Sequence, residues 1–422
     1  MSYKYTVVFL FSIALLMSGC KDDEGTSGSD TQTKVVPMTN PVLYITTDSG
    51  QDIDSKEHYV GCTIRLDGRQ VYDDYETPSN GSDSIRGRGN STWLWYPKKP
   101  YKIKLGRRAS LCGIGKGKKY VLLANYRDPT RMMNAVVFDM AAYMGLPYTN
   151  SNRFVEVYVN DDYAGVYQLT EQIEQGENRV AIDAAGGILL SLDYDDGPDL
   201  SPDSGDNFCS EIFRSSYSWW GLPVCVKYPK EPTAQQLVDI KAEFTRLEQA
   251  IDAKNYTALK GMCDVQSMMD FLIIQELTRN VELVTPRSMY LFRDADQKWR
   301  FGPMWDFDGG FGYDWGERHN YFTTQSWMMG PRGSLDIPDF FDKMFGNTAF
   351  LNDYRTRWNE IGEEALEYAL DKMECRLDTL AEALVRDEAT WQIGRDWHDE
   401  CDRMADWLRT RADKYTNYLK EF

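Results

Sequence analysis

Trp305-Asp306-Phe307-Asp308-Gly309-Gly310-Phe311-Gly312 is the stretch on which the reading of this chain turns. Two carboxylates stand one residue apart, framed by aromatics and followed by three glycines. Just upstream, residues 288–292 and 299–304 read as two short strands joined by a turn at Asp294-Ala295-Asp296, so that the second strand delivers Asp306 at its end. A hard divalent cation takes oxygen ligands, and the Mg²⁺ of phosphoryl transfer is held by one or two carboxylates together with substrate phosphates. Asp-X-Asp at a strand end supplies both. The same composition also suits a turn capped by its own Asp side chains, with nothing bound.

Working outward, the 422 residues suffice for one large domain or two moderate ones, and 42% apolar with 13% aromatic content suits a packed core. A formal charge of −18 argues against nucleic acid or an anionic membrane surface as partner, since both are polyanions. The three histidines, His58, His319 and His398, are far apart and in no ligand spacing, which argues against a His-rich zinc site. No Gly-X-Ser-X-Gly elbow supports a serine hydrolase. Of the eight cysteines, seven follow Cys20 with no Cys-X-X-Cys among them. An odd number leaves at least one unpaired; Cys209 with Cys225 is the most local pairing, and most are expected to be buried thiols.

At the N-terminus Lys4 precedes an apolar run from Val7 to Met17 that ends in Ser18-Gly19-Cys20. This is the pattern of a signal peptide. Cys20 after Ser-Gly resembles a bacterial lipobox, and Lys21-Asp22-Asp23-Glu24 resembles the export tag of surface lipoproteins of the Bacteroidetes. The expectation is an outer-membrane, surface-exposed lipoprotein that meets the membrane only through lipid on Cys20. Residues 21–40 read as its flexible tether.

The body of the chain begins with strand signals at residues 42–47 and 59–66, then a polar loop over residues 72–84. Arg86-Gly87-Arg88-Gly89-Asn90-Ser91-Thr92-Trp93 follows, and then Pro97-Lys98-Lys99-Pro100-Tyr101-Lys102-Ile103-Lys104-Leu105. Glycines between arginines let backbone amides approach an anion, and the guanidinium forks supply charge. Tyr101, Ile103 and Leu105 alternate with Lys102 and Lys104, a half-buried strand with its lysines on one face. In so acidic a protein this basic cluster suggests a polyphosphate or carboxylate site; a solvated strand face gives the same pattern. A helix is expected from Asp128-Pro129 with a core-facing Met stripe, then a hairpin of residues 154–159 and 165–169. Glu171 and Glu174, just past it, could pair with a basic-strand lysine or cap the surface. Residues 187–194 read as a strand, residues 233–253 and 265–279 as helices, and residues 350–422 as packed helices without a sustained heptad.

Together Ile85–Trp93, Pro97–Leu105, Val157–Tyr167 with Glu171, and Trp305–Gly312 resemble the CotH family of atypical secreted protein kinases. The motifs run in family order over residues 85–312, and Trp407–Arg411 resembles the tail of Bacteroidetes members. The resemblance implies a two-lobed, kinase-like α+β fold, with a β-rich N-terminal lobe over residues 41–175 and a helical C-terminal lobe over residues 176–422. It implies transfer of the γ-phosphoryl of ATP to Ser or Thr of a secreted or cell-surface protein. Asp306 would be the main Mg²⁺ ligand and a catalytic residue, with Asp308 a second ligand. Arg86, Arg88 and Lys102 or Lys104 would contact the phosphates, and Glu171 would pair with that lysine. Glu282 stands where the family usually carries a catalytic-loop Asp; its extra methylene moves the carboxylate, and about 1 Å of misplacement can cost roughly a hundredfold in rate. Two other readings stay open: a non-catalytic surface binding module on a degenerate kinase scaffold, and another transfer reaction such as adenylylation.

Overall fold

Period-2 alternation of apolar residues sets the strands that dominate the N-terminal part of the chain. In residues 60–67, Val60, Cys62, Ile64 and Leu66 are buried while Gly61, Thr63, Arg65 and Asp67 are not. The computed structural model describes residues 40–194, 207–214, 221–313, 322–331 and 337–422. Cys20, the leader before it, the tether as far as residue 39 and the acidic stretch 195–206 lie outside the described residues.

Ten elements come first: strands β1 (Val42–Thr47), β2 (Val60–Asp67), β3 (Tyr75–Glu76) and β4 (Asp83–Gly87), helix α1 (Ser91–Trp95), strands β5 (Tyr101–Ala109) and β6 (Gly117–Leu123), helix α2 (Met133–Met144), and strands β7 (Arg153–Val159) and β8 (Asp162–Glu171). Their order across the sheet is β1-β7-β8-β6-β5-β4-β2-β3, and β1 also pairs with β2. That last pairing closes seven strands into a barrel, with β3 an appendage on β2. Only β1 with β7 is parallel. The barrel interior is filled by Ile45, Ile64, Ile85, Ile103, Tyr120, Leu122, Val157 and Leu169.

A second sheet follows, of β9 (Ile188–Leu192), β10 (Asn207–Arg214), β11 (Gly221–Tyr228), β12 (Met289–Arg293) and β13 (Trp299–Phe301), in the order β10-β11-β9-β12-β13 and antiparallel throughout. Between β11 and β12 run α3 (Ala234–Asp252), α4 (Tyr256–Met262) and α5 (Val265–Thr278); the chain ends in α6 (Asp339–Asp342), α7 (Thr348–Arg357), α8 (Glu363–Trp391) and α9 (Trp397–Leu419). Val136, Phe244, Phe271, Leu291 and Phe340 sit in the second core. No helix among the described residues is long and apolar enough to cross a membrane.

The fold is α+β, with a β-rich N-terminal region and helices concentrated at the C-terminus. The expected two-lobed kinase layout is not evident. The first strands close on themselves, and the half expected to be helical carries a sheet of its own. Local departures have local causes. The expected loop of residues 72–84 holds β3 and the start of β4, pinned where Tyr75 and Thr77 both donate to Asp83. The helix expected from Asp128 starts only at Met133, because the Asp128 carboxylate accepts from the Thr130 and Met133 amides and builds a turn there. Cys209 and Cys225 are both free thiols; β10–β11 register sets Pro223 opposite Cys209.

One buried ion pair fastens the barrel to the C-terminal helices. The Lys98 ammonium donates to Asp387 of α8 and to the Val166 carbonyl of β8, each at 2.6 Å, and Asp387 also accepts from the Val166 amide at 2.9 Å. Both side chains are essentially inaccessible. Burial draws the Lys98 ammonium down to about 8 even with Asp387 beside it. Lys98, part of the basic motif, is thus a structural lysine. Removing one partner strands the other charge, so Asp387→Ala should cost roughly 3–5 kcal/mol. The check is the urea midpoint at unchanged slope. A Lys98→Met/Asp387→Leu double variant should recover most of the loss, whereas a single-variant cost below about 1 kcal/mol would show that the pair is not a fastening.

Candidate functional site

Three carboxylates converge where α5 and β13 end. After Thr278 the chain turns through Arg279, in the left-handed region at φ 49°, and Asn280 caps a 3-10 turn over Val281–Leu283 that carries Glu282. On the other side β13 stops at Phe301, so Asp306 lies on a loop beyond the strand instead of at its end. Asp306 has φ 67°, a backbone region that a non-glycine residue seldom occupies without a functional reason. Asn280 ties the two segments together: its side-chain amide donates to the Asp306 carbonyl and accepts from the Glu282 amide, both at 3.2 Å. Asn134 of α2 accepts from the Phe307 amide at 3.0 Å, and the Phe311 amide donates to the Thr278 carbonyl at 2.6 Å. At Gly309 a Cβ would stand 2.6 Å from the Val281 side chain, so only glycine lets the loop close against the Glu282 turn. Glu282, Asp306 and Asp308 each thereby bring a carboxylate oxygen within 4.8 Å of the others.

Crowding shows in the electrostatics. Glu282 is 4% exposed, and burial, then Asp306 and Asp308, hold its carboxyl well above the usual range. Asp306 is pushed up to about 7, first by desolvation in the cleft, then by Asp308, and further by Asp193; Arg88 and Arg127 pull the other way. Arg127 is ion-paired with Asp308 at 3.4 Å, and Arg287 approaches Glu282 at 3.9 Å. Asp193, at the end of β9, accepts from the Ser288 amide at 3.0 Å and so fixes the entry to β12.

The basic motif arrives from the barrel wall. Cross-strand register places Arg86 beside Lys102 and Ser84 beside Lys104, with Lys119 beyond Lys104. Opposed residues share a face, so Arg86, Lys102, Lys104 and Lys119 all point outward. Lys102 is half-buried and held down to about 7, first by burial and then by Arg86 and Lys119, with Arg88 adding to the repulsion. Arg88 links the two halves of the site: it acts on both Lys102 and Asp306, and its guanidinium lies 5.5 Å from the Trp305 ring.

Glu171 is the correction. Tyr120 pairs with Glu171, and Tyr120 faces the barrel interior, so alternation turns Glu171 away from Lys102 and Lys104. It accepts instead from the Ser151 amide at 2.7 Å and the Ser151 hydroxyl at 2.6 Å. The acid that meets the basic face is Glu174, salt-bridged to Lys119. Structure therefore brings Glu282, Asp306, Asp308 and Arg88 together and sets Arg86, Lys102 and Lys104 alongside. Sequence reading missed Lys119, Arg127, Asn134, Asp193 and Asn280. Only Arg127 carried a signal, in the polar run Asn125-Tyr126-Arg127-Asp128 between a strand and a helix.

The trio fits a hard divalent cation. All three donors are carboxylates with no His or Cys among them, as Mg²⁺, Mn²⁺ or Ca²⁺ prefers. The Glu282 Oε2 is buried without a hydrogen-bond partner, an orphan that a cation would satisfy. Asp306 titrates near 7 in the fold against about 3.9 unfolded. The folded protein thus binds the extra proton between those values, and this group's stabilisation is complete below about pH 4 and lost as pH rises through about 7. Cation binding needs the deprotonated acids and grows over the same interval. Mg²⁺ or Mn²⁺ should therefore raise the melting temperature more at pH 8 than at pH 5.5, and Asp306→Asn should remove the difference. Equal gains at both pH values would show that the cation binds elsewhere.

No curated protein matches the chain. The family model described as CotH kinase protein matches residues 85–415, a span that takes in the basic motif, the acidic trio and the C-terminal helices. By that match over most of its length, this chain belongs to the CotH kinase family.

Proposed function

We propose that the protein transfers the γ-phosphoryl group of ATP to a Ser or Thr hydroxyl of a secreted or cell-surface protein. The observation that supports this reading is that an acidic trio and a row of outward-facing cations share one electrostatic neighbour, Arg88, whose charge acts on both Asp306 and Lys102. Polyphosphate chemistry needs both halves: cations for the phosphate oxygens and carboxylates for the metal that accompanies them. When bound at Asp306, Asp308 and Glu282, Mg²⁺ would neutralise charge on the phosphates. Arg86, Arg88 and Lys102 bind and orient the phosphate chain, and their repulsion of one another is relieved by its negative charge. Arg127 balances Asp308 and holds it in place. Glu282 accepts the proton of the attacking hydroxyl as the new oxygen–phosphorus bond forms and ADP departs with the old bridging oxygen. In this reading the chain works at the outer face of the envelope, tethered through lipid on Cys20.

A second reading has its own observation. Glu282 is nearly inaccessible and favours its protonated form, in which it cannot accept a proton, as in a binding module that holds nucleotide without turnover. Melting separates the site from its absence: Mg·ATP at about 100 times its dissociation constant should add about 2.7 kcal/mol of stability, lost in Asp306→Ala. Labelling separates the two readings. Wild-type protein should move γ-phosphate onto a surface-protein fraction, and Glu282→Gln should slow this roughly 10²–10⁴-fold while Glu282→Asp keeps it. A Mg·ATP shift with no transfer to any surface protein would decide for the binding module, and no shift at millimolar Mg·ATP would defeat both.

A further inference from the structure

The cations on the barrel wall extend past the phosphates assigned to them. Outward-facing positions on a strand recur every two residues, about 7 Å. Arg88, whose amide donates to the Pro100 carbonyl and so continues the pairing of β4 with β5, makes the first row. Arg86 with Lys102 makes the second, and Ser84, Lys104 and Lys119 the third. The third row stands about 14 Å along the strands from Arg88, the cation that acts on Asp306. Another lysine joins that row from outside the barrel. Lys230, just past β11, brings its ammonium within hydrogen-bonding range of the Lys119 ammonium, and Lys104 repels it as well. Ammonium groups pressed on one another favour an anion between them. Glu174 answers in part: it is salt-bridged to Lys119 and acts on Lys102 and Lys230 too. One carboxylate among Lys104, Lys119 and Lys230 leaves a positive excess. Lys104 and Lys230 are exposed, so that excess faces solvent, on a chain of formal charge −18.

We infer that Lys104, Lys119 and Lys230 form a second anion site, for the acceptor protein and not for the nucleotide. It takes a carboxylate or phosphate side chain about four residues from the Ser or Thr that receives the phosphoryl group. This rests on the phosphoryl-transfer reading above. The spacing follows from the rows: an extended chain advances about 3.4 Å per residue, so about four residues reach from the reacting hydroxyl by Asp306 to the third row. Ammonium groups bind as point charges, without the fork geometry that would select one anion over the other. The favoured acceptors are therefore acidic segments and segments already phosphorylated once, in which one transfer creates the anion that holds the chain for the next.

Transfer by the full chain to synthetic peptides tests this. Each peptide carries one serine and, four residues away on one side or the other, alanine, glutamate or phosphoserine. Wild type should show a KM roughly tenfold lower for the better-placed glutamate or phosphoserine peptide than for its alanine counterpart. Lys230→Ala should raise that KM to the alanine level while kcat and the KM for Mg·ATP stay as they were, and Lys230→Arg should keep the preference. The glutamate and phosphoserine arms separate an acidic acceptor from one already phosphorylated. Fluorescence anisotropy of a labelled phosphoserine peptide should show binding that saturating Mg·ATP does not displace. Equal KM values for all peptides, an unchanged preference in Lys230→Ala, or displacement by Mg·ATP would overturn the second site and leave phosphoryl transfer standing. With no transfer to any peptide the phosphoryl-transfer reading falls, and anisotropy decides the site by itself. Binding lost in Lys230→Ala then upholds an anion site, and no binding by wild type overturns it.

Discussion

Carboxylates held within 4.8 Å of one another repel, by about 3–4 kcal/mol per ionised pair at an effective dielectric near 20. Much of what surrounds Glu282, Asp306 and Asp308 opposes that repulsion or withstands it. Asn280 bonds both segments at once, Asn134 anchors the residue after Asp306, and Gly309 lets the loop lie against Val281. Arg127 pairs with Asp308. The remainder is met by protons, which is why Glu282 and Asp306 both hold theirs beyond the normal range. A site assembled against its own electrostatics, with one acid oxygen left without a hydrogen-bond partner, suits a cation.

Lys102 shows the opposite sign of the same constraint. Half-buried among Arg86, Lys119 and Arg88, it is driven toward neutrality by like charge and by lost hydration. Glu174 answers for Lys119, and Lys230 is held below the usual lysine range chiefly by Lys119. A chain of formal charge −18 that gathers its cations here has concentrated them against the general trend of its surface. Acids and bases are kept apart by their elements, the acids on loops at the ends of α5 and β13, the bases on the barrel wall. Arg88 is where the two sets meet.

That separation depends on the barrel keeping its place relative to the C-terminal helices. Lys98 and Asp387 secure it from beneath, joined by Arg131, which reaches Glu388 at 3.0 Å, and by Arg386, which pairs with Glu156 at 2.7 Å. Deeper in the second core, Arg411 is fully buried against Glu276, whose carboxylate also accepts from the Met328 and Met329 amides. Buried charges of this kind contribute little net stability but penalise any arrangement that separates them. They fix the docking of helices against strands, and with it the distance between the two halves of the site.

Much of this was written in local pattern. The strand signals at residues 42–47, the alternation over Tyr101–Leu105 and the Asp-X-Asp before three glycines are short-range signals, set by side-chain period and backbone freedom. They sufficed to mark Asp306, Asp308, Arg86 and Arg88, and to put Lys102 and Lys104 on one face. Tertiary structure alone decided what was long-range. The pairing of β1 with β2 that closes the barrel joins strands by a register that no residue type announces. Glu171 faces inward and Glu174 outward because of where β8 lies against β6, not because of their own neighbours. Asn280, Asn134 and Arg127 gain their meaning only when α5, α2 and the loop after β13 converge. An amide or a guanidinium is a common surface group until folding takes away its water and gives it a particular partner, and that partner is set by packing across the whole chain.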